Sequence, residues 1–391
     1  MNKNDFSSKF FHGLIRGIYN YENKNTDFLR FETSSSMKCR LEETILLFAK
    51  NMGFIQRPTH EFEEMERRLM FVVRYIDEFE KFYNLLADGR SKDLLLQLLH
   101  FRILGARHVK LPLNNKNYWQ LRSTLDNRFL QEPNTVRLAD PNWASWYLNR
   151  YMLPGAEGKI ELHAHPLRIL NTFLLEQYAY KKGGRVIRAQ PEHIVIDGGS
   201  CWGDTALYFA DRVGPKGKVY CFEFNPDNLE IFEKNVLLNQ RTADRLTIVQ
   251  SALWHKSGLI QSFIPSGPAT SLYRHESDGP GMSMQEMNTS TRRISTICID
   301  DYVHSQGIER VDYIKMDIEG AELAALRGAE TTIRDFRPIL AVSLYHRDAD
   351  FISIPDYLNR LDLEYEFFLD HFTIHREETV LFAQAKTKLN Q

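Results

Sequence analysis

The stretch Gln190-Pro-Glu-His-Ile-Val-Ile-Asp-Gly-Gly-Ser-Cys-Trp-Gly-Asp-Thr205 passes from a β-branched run, Ile194 to Ile196, through glycines at 198, 199 and 203 into a helical segment over 205–210. Strand, glycine turn and helix in that order open a doubly wound α/β unit, in which ligands bind beyond the carboxyl ends of the strands. Glycines at such a place let the backbone approach a ligand closely. The dinucleotide pattern G-x-G-x-x-G fits in no register, because Ser200 and Cys201 stand two positions past Gly198 and Gly199. A cofactor without phosphates suits this loop better. The next strand, over 218–222, runs into Glu223 and Phe224. An acid at that strand end is the usual acceptor for ribose hydroxyls.

Downstream the alternation continues. Strands are expected over 246–249, 311–315 and 339–344, and helices over 229–238, 321–333 and 354–361. The rhythm argues a parallel sheet with helices on both faces. Two further strands, over 365–369 and 379–382, are joined by a short polar segment and form an antiparallel hairpin at the sheet edge. The fold class is α/β: a Rossmann-like sheet, mostly parallel and closed by an antiparallel hairpin, which is the methyltransferase variant of the doubly wound fold. A helical N-terminal domain precedes it.

The residues around the strand ends also carry a resemblance. Val311-Asp-Tyr-Ile-Lys-Met-Asp-Ile-Glu-Gly-Ala-Glu322, followed by Leu326-Arg-Gly-Ala, resembles the signature of the FkbM family. Phe222-Glu-Phe-Asn-Pro, Asn235 to Asn239, Ser251-Ala-Leu and Ile299-Asp-Asp-Tyr agree with it, and the resemblance covers about 173–383. It implies an S-adenosylmethionine-dependent methyltransferase acting on hydroxyls of sugars, glycans or polyketide-type natural products. It further implies that the loop residues Asp197, Gly198, Gly199, Ser200, Gly203 and Asp204 hold the methionine end of the cofactor. Glu223 with Phe224 would take the ribose, Ser251 and Ala252 the adenine edge, and Asp317 would lie near the reactive methyl group. The family loop reads D-x-G-A-N-x-G, and here Ser200 and Cys201 replace its Ala-Asn pair.

Methyl transfer to a hydroxyl needs alignment and a proton acceptor. Asp317 and His346, both at strand ends, are the expected catalytic pair; Tyr178, His371 and His375 are candidates for the substrate side. Tyr178 ends a segment, 171–178, read as a helix that covers the cofactor loop. Glu319 and Glu322 are expected in the first turn of the following helix, where carboxylates favour the positive end of its dipole. No metal is required. Were a divalent ion to bind, Asp317, Glu319 and Asp348 would supply oxygen ligands. The stretches Gly267-Pro-Ala-Thr-Ser-Leu and Asp278-Gly-Pro-Gly-Met read as a mobile insertion bearing on specificity.

Ahead of the sheet, 1–112 reads as the helical domain and 113–189 as a loop-rich connector and lid, leaving 190–391 for the methyltransferase domain. Leu41, Ile45, Leu46 and Phe48 form one apolar stripe, and Phe71, Val72, Tyr75, Phe79 and Phe82 another, after a loop marked by Ser34. Gly89 reads as a C-cap and Ser91 as an N-cap. Pro133, Pro141, Pro154, Gly155 and Gly158, interspersed with Trp143 and Trp146, give the connector its loop-rich character.

The 391 residues carry a net charge of −2, which offers no electrostatic ground for binding nucleic acid. Four scattered cysteines argue against a zinc cluster or a disulfide framework. The start contains no apolar signal region and no apolar run approaches a membrane span, so a cytoplasmic location is expected. The expected partner is a small-molecule or glycan acceptor, with homo-oligomers through the N-terminal helices. The alternative is a binding or scaffold subunit that keeps the fold without activity. The missing dinucleotide loop and the closing hairpin disfavour a dehydrogenase.

Overall fold

The computed structural model describes residues 5–19, 25, 60–138, 147–272 and 291–386. The chain divides into two compact units, one of 1–116 with 373–377 and the other of 117–372 with 378–391. Ser34, the stripe at Leu41 to Phe48, Pro141, Trp143, Trp146 and the stretch 278–282 lie outside the described residues.

The first unit holds α1 (Asp5–Tyr19), α2 (His60–Arg74), α3 (Ile76–Leu85) and α4 (Gly89–Leu104). The stripe from Phe71 to Phe82 is helical, interrupted at Tyr75 between α2 and α3. Phe6 of α1 meets Tyr83 of α3 with ring centroids 5.3 Å apart. Along α4, Leu95, Leu98, Leu99 and Ile103 are buried. His100 lies 2.9 Å from the Phe10 carbonyl, a buried ring with a structural partner. The expected caps are corrected here. Asp88 caps α4 by accepting the Ser91 amide at 2.7 Å, and Gly89 is the first helical residue. An aspartate at that position is as strong an N-cap as the serine and starts the helix earlier.

The second unit begins within α5 (Lys116–Phe129). Where composition argues a loop-rich connector, the chain forms α5 and an antiparallel sheet of β1 (Leu130–Arg137), β2 (Tyr147–Gly155) and β3 (Gly158–Ala164). The prolines are compatible with it. Pro133 lies where the β1 register shifts, and Pro154 lies beside the hairpin turn. The helix expected over 171–178 ends at Leu174 as a short π-helical turn (Ile169–Leu174), and β4 (Tyr180–Lys182) and β5 (Arg185–Ile187) follow as a small hairpin.

The main sheet then alternates with helices: β6 (Ile194–Gly198), α6 (Asp204–Val213), β7 (Lys218–Phe222), α7 (Pro226–Leu238) and β8 (Leu246–Val249). A small second sheet, β9 (Ala252–Leu253), β10 (Ile260–Phe263) and β11 (Arg292–Ile297), comes next with α8 (Ile299–Ser305). The series resumes with β12 (Tyr313–Met316), α9 (Glu322–Arg327), α10 (Glu330–Phe336), β13 (Ile339–Ser343), α11 (Asp350–Arg360), β14 (Tyr365–His371) and β15 (Thr379–Ala385). Seven strands lie in the order β14-β15-β13-β12-β6-β7-β8. The pairs among β13, β12, β6, β7 and β8 are parallel, and β15 runs antiparallel to both of its neighbours.

The single helix expected over 321–333 is two helices, broken at Gly328 and Ala329. A Cβ on Gly328 would lie 2.3 Å from the Trp254 carbonyl oxygen, so backbone packs on backbone there. The Asp300 carboxylate restarts the helix by accepting the amides of Thr331 and Thr332 at 3.0 and 2.8 Å. The edge of β3 is covered by side chains of α7 and of Asn239, which caps its C-terminal end. Asn235 accepts the His163 amide at 2.7 Å and donates to the His163 carbonyl at 3.0 Å, and Asn239 accepts the Glu161 amide at 3.0 Å. These amides do what a neighbouring strand would do.

Candidate active site

The site grows from the carboxyl ends of β6, β7 and β12. Lys315 of β12 is the register partner of Asp197 of β6, and both side chains are fully buried. Its ammonium lies 3.1 Å from the Asp197 carboxylate and donates to the carbonyls of Gly198 and Gly199 at 3.0 and 2.7 Å. The other Asp197 oxygen accepts the Thr205 hydroxyl at 2.7 Å. A buried lysine thus clamps the loop from behind. Gly199 has φ +81°, and a Cβ there would fall 1.9 Å from the Asp317 carbonyl oxygen, so only glycine fits where the loop crosses β12.

In front of the loop lies a pocket open to solvent, with about 500 Å³ of free space counting the solvent at its mouth. Of the candidate residues, Gly199, Glu223, Phe224, Ser251, Ala252, Asp317 and Glu319 line it, together with Cys201, Asn228, Thr270 and Ile318. Asp197, Gly198, Ser200, Gly203 and Asp204 stand behind the wall. Asp204 is held by Arg168 at 3.1 Å and by the Thr172 hydroxyl at 2.8 Å, and Ser200 donates to the Asp197 carbonyl at 3.0 Å. Gly203 has φ +81° and abuts the Phe232 ring. Gly267 to Leu272, expected in a mobile insertion, is pinned to the start of α7. Asn225 donates to Thr270 at 2.9 Å and Asn228 to the Gly267 carbonyl at 3.1 Å.

Glu223 closes one end of the pocket. One carboxylate oxygen accepts the amides of Phe224 and Asn225, each at 2.8 Å, while the other has a 3.4 Å contact from Asn228. Burial pushes its carboxyl up to about 7, against the opposing pull of these amides and that of Cys201. Cys201, in a left-handed conformation with φ +47°, makes its contact through the backbone amide, which does not depend on the side chain that replaces the family's asparagine.

At the other end stands Asp317, just past β12. Tyr178 donates to one oxygen at 2.9 Å and Tyr345 to the other at 2.8 Å. Gln177, buried beside them, donates to the Tyr178 hydroxyl at 3.2 Å and to Glu378. Burial raises the Asp317 carboxyl, but the charges of Lys315, His346 and Arg168 and the Tyr345 hydroxyl hold it well below the usual carboxylate range. His346, past β13, lies with Nδ1 2.9 Å from Glu322, and with Nε2 3.4 Å from Glu319 and 3.5 Å from Asp317. Burial opposes a charge on its ring, yet Glu322 and then Glu319 hold it well above the ordinary histidine range.

Tyr178, Asp317 and His346 are therefore brought together. His371 is buried against the Thr379 hydroxyl, 2.9 Å away in the terminal hairpin, and His375 belongs to the helical unit. Glu322 is the first residue of α9, whereas Glu319 precedes the helix with φ +54°. Glu322 accepts the Ile318 amide at 2.8 Å, tightening the turn into α9. Sequence reasoning passed over Lys315, Gln177 and Tyr345. A lysine inside the apolar run of a central strand was the one available signal, since it demands a buried partner.

Residues 176–369 match the profile of the Methyltransferase FkbM domain, so the chain carries a domain of that methyltransferase family over those residues. Methyltransferase sdnD of Sordaria araneosa is 26% identical over 157 residues, which span 35% of this chain and 60% of that relative. The 2-O-methyltransferase NoeI of Sinorhizobium fredii (strain NBRC 101917 / NGR234) is 24% identical over 192 residues, 46% of this chain and 76% of the relative. Among solved structures, the methyltransferase FkbM from Methylobacillus flagellatus KT shares the fold, with a TM-score of 0.50 at 19% identity over 89% of this chain and 71% of that one. Among the described residues, no helix is long and apolar enough to cross a membrane.

Proposed function

We propose that this protein uses S-adenosylmethionine to methylate a hydroxyl of a sugar, glycan or natural product. The observation that carries the proposal is the pocket itself, with a buried acid at the ribose position and a second carboxylate at the far end. The residues fit the cofactor. The Glu223 carboxylate lines the pocket and can accept a ribose hydroxyl, and Gly199 lets the loop pack against the end of β12 beside it. The cofactor, when bound, supplies an electrophilic methyl group on a sulfonium. The chain holds a fixed carboxylate at that end, oriented by two tyrosine hydroxyls, and sets an imidazole beside it. The hydroxyl proton, made acidic as the C–O bond forms, is expected to pass to the ionised Asp317, with the charged His346 ring beside it. Acceptor class rests on the family and on NoeI, whose name states 2-O-methyl transfer.

Isothermal titration separates the cofactor assignment from a dehydrogenase: S-adenosylmethionine and S-adenosylhomocysteine should bind and NAD should not. His346→Ala should cut turnover by about 10²–10⁴-fold with cofactor affinity nearly intact. Full turnover in that variant would remove His346 from the chemistry.

A further inference from the structure

We infer that Asp317, Glu322 and His346 form a binding site for one first-row divalent metal ion of the Mn²⁺, Fe²⁺ or Zn²⁺ class, at the acceptor end of the pocket. The inference rests on the methyltransferase reading only for the ion's purpose; the site stands on its own geometry. The three residues come from three places, the end of β12, the start of α9 and the end of β13. Each offers one ligand atom, and these atoms all lie within 4.8 Å of one another. Donors around an ion at about 2.0–2.3 Å sit roughly 3–4.5 Å apart, so small adjustments close the shell.

The hydrogen bonding points the same way. Neither ring nitrogen of His346 makes an aligned hydrogen bond, although its side chain is only 6% exposed and the carboxylates of Glu322, Glu319 and Asp317 lie 2.9, 3.4 and 3.5 Å away. The second oxygen of Glu322 is also buried without a partner, while its first is occupied by the Ile318 amide. Buried polar atoms left open in this way mark a functional site or a place where a partner completes them. The other two cations acting on Asp317 are committed elsewhere, Lys315 to Asp197 and the loop carbonyls and Arg168 to Asp204. His346 is the cation that lies within 3.5 Å of Asp317, Glu319 and Glu322 alike.

The outer shell is in place as well. Tyr178 and Tyr345 fix Asp317, and backbone amides fix Glu322, as ligand carboxylates are usually held. One nitrogen with two oxygens suits borderline ions and disfavours Ca²⁺ and Mg²⁺, which take oxygen alone. Three protein ligands leave coordination positions open, and Asp317 and Glu319 line the pocket, so an acceptor oxygen can reach them. The ligand set differs from the oxygen trio expected from sequence. His346 and Glu322 enter, and Glu319 and Asp348 are outside the cluster.

The test uses the full chain, stripped with chelator and titrated with MnCl₂ and, separately, ZnCl₂ by calorimetry, with paramagnetic resonance for Mn²⁺. One ion per chain is expected, with His346→Ala and Glu322→Gln each weakening it at least ~10–100-fold. Thermal denaturation checks that each variant folds; should Glu322→Gln fail to fold, His346→Ala alone decides. Stripped wild type that takes up neither ion, or folded His346→Ala that binds as tightly as wild type, overturns the site. Titrating the same stripped protein with S-adenosylmethionine keeps the two proposals apart. Cofactor binding without metal binding refutes the metal site alone, and metal binding without cofactor binding upholds it while refuting the cofactor assignment.

Discussion

With Glu223 as the proposed ribose acceptor, its protonation is expected to couple cofactor binding to pH. Burial pushes its carboxyl up to about 7 from an ordinary value of 4.5, so over that window the folded chain keeps a proton that the unfolded chain releases. Stability from this group is full below about pH 4.5 and is lost as pH rises towards 7. The ligand-free protein should melt at a lower temperature at pH 8 than at pH 5.5 on this account, and Glu223→Gln should flatten that difference. Affinity for S-adenosylmethionine should move oppositely, rising through pH 7 as the carboxylate forms. Glu223→Ala should weaken binding by about 1.5–3 kcal/mol. Calorimetry at pH 6 and pH 8 checks both, and a pH-independent affinity would place the ribose contact elsewhere. The places of Glu223 and Gly199 in the pocket wall were legible in sequence because a strand end or the turn after a strand dictates position. Asp197 and Asp204 were read as cofactor ligands and are buried against Lys315, Thr205, Arg168 and Thr172 instead. Residue type and spacing show that an acid is present, not which way its side chain turns.

At the scale of elements, Asn235 ties three pieces together. Its side chain serves both backbone groups of His163 in β3 and donates to the Trp202 carbonyl in the cofactor loop at 2.8 Å. Removing it strands buried backbone groups, at ~1–3 kcal/mol each. Asn235→Ala is expected to lose about 2–4 kcal/mol in urea unfolding and to weaken cofactor binding through the loop. Lys234→Ala, which removes only an exposed pair with Glu230, should lose less than ~1 kcal/mol. Equal losses would deny Asn235 this role. The parallel strands were legible from their β-branched runs and their regular alternation with helices. Strands β1 to β3 were hidden because prolines and glycines, read locally, look like a connector, and the Asn235 and Asn239 contacts to β3 join residues 72 and 78 positions apart. The break at Gly328 was hidden likewise, since its cause, the Trp254 carbonyl, is distant in sequence.

For the whole molecule, the second unit contains every residue that lines the pocket. A chain starting at Asn117 keeps α5 and β1 to β3, and should fold and bind S-adenosylmethionine within about tenfold of the full protein, or ~1.4 kcal/mol. A truncation that is folded by circular dichroism yet fails to bind would contradict that independence. One starting inside β3 would uncover Asn235 and Asn239, and is expected to be less stable. The helical character of the first unit was visible in its apolar stripes. That 373–377 groups with it was not, because nothing in a local pattern tells to which body a hairpin tip belongs.

The place of β15 between β13 and β14 sets a timetable for synthesis. On the ribosome, β13 is complete at Ser343, but its hydrogen-bonding neighbour on that side ends at Ala385, 42 residues later (385 − 343). At about 5–20 residues per second, the run Ile339-Leu-Ala-Val-Ser stands with a bare edge for roughly 2–8 s. An unpaired apolar edge recruits strands from other chains. A nascent chain stalled or cut between β14 and β15 would hold the whole cofactor pocket and still be the species most exposed to aggregation. Pulse-labelled chains released before Thr379 should be captured by holdase chaperones, and those released after Ala385 should escape them.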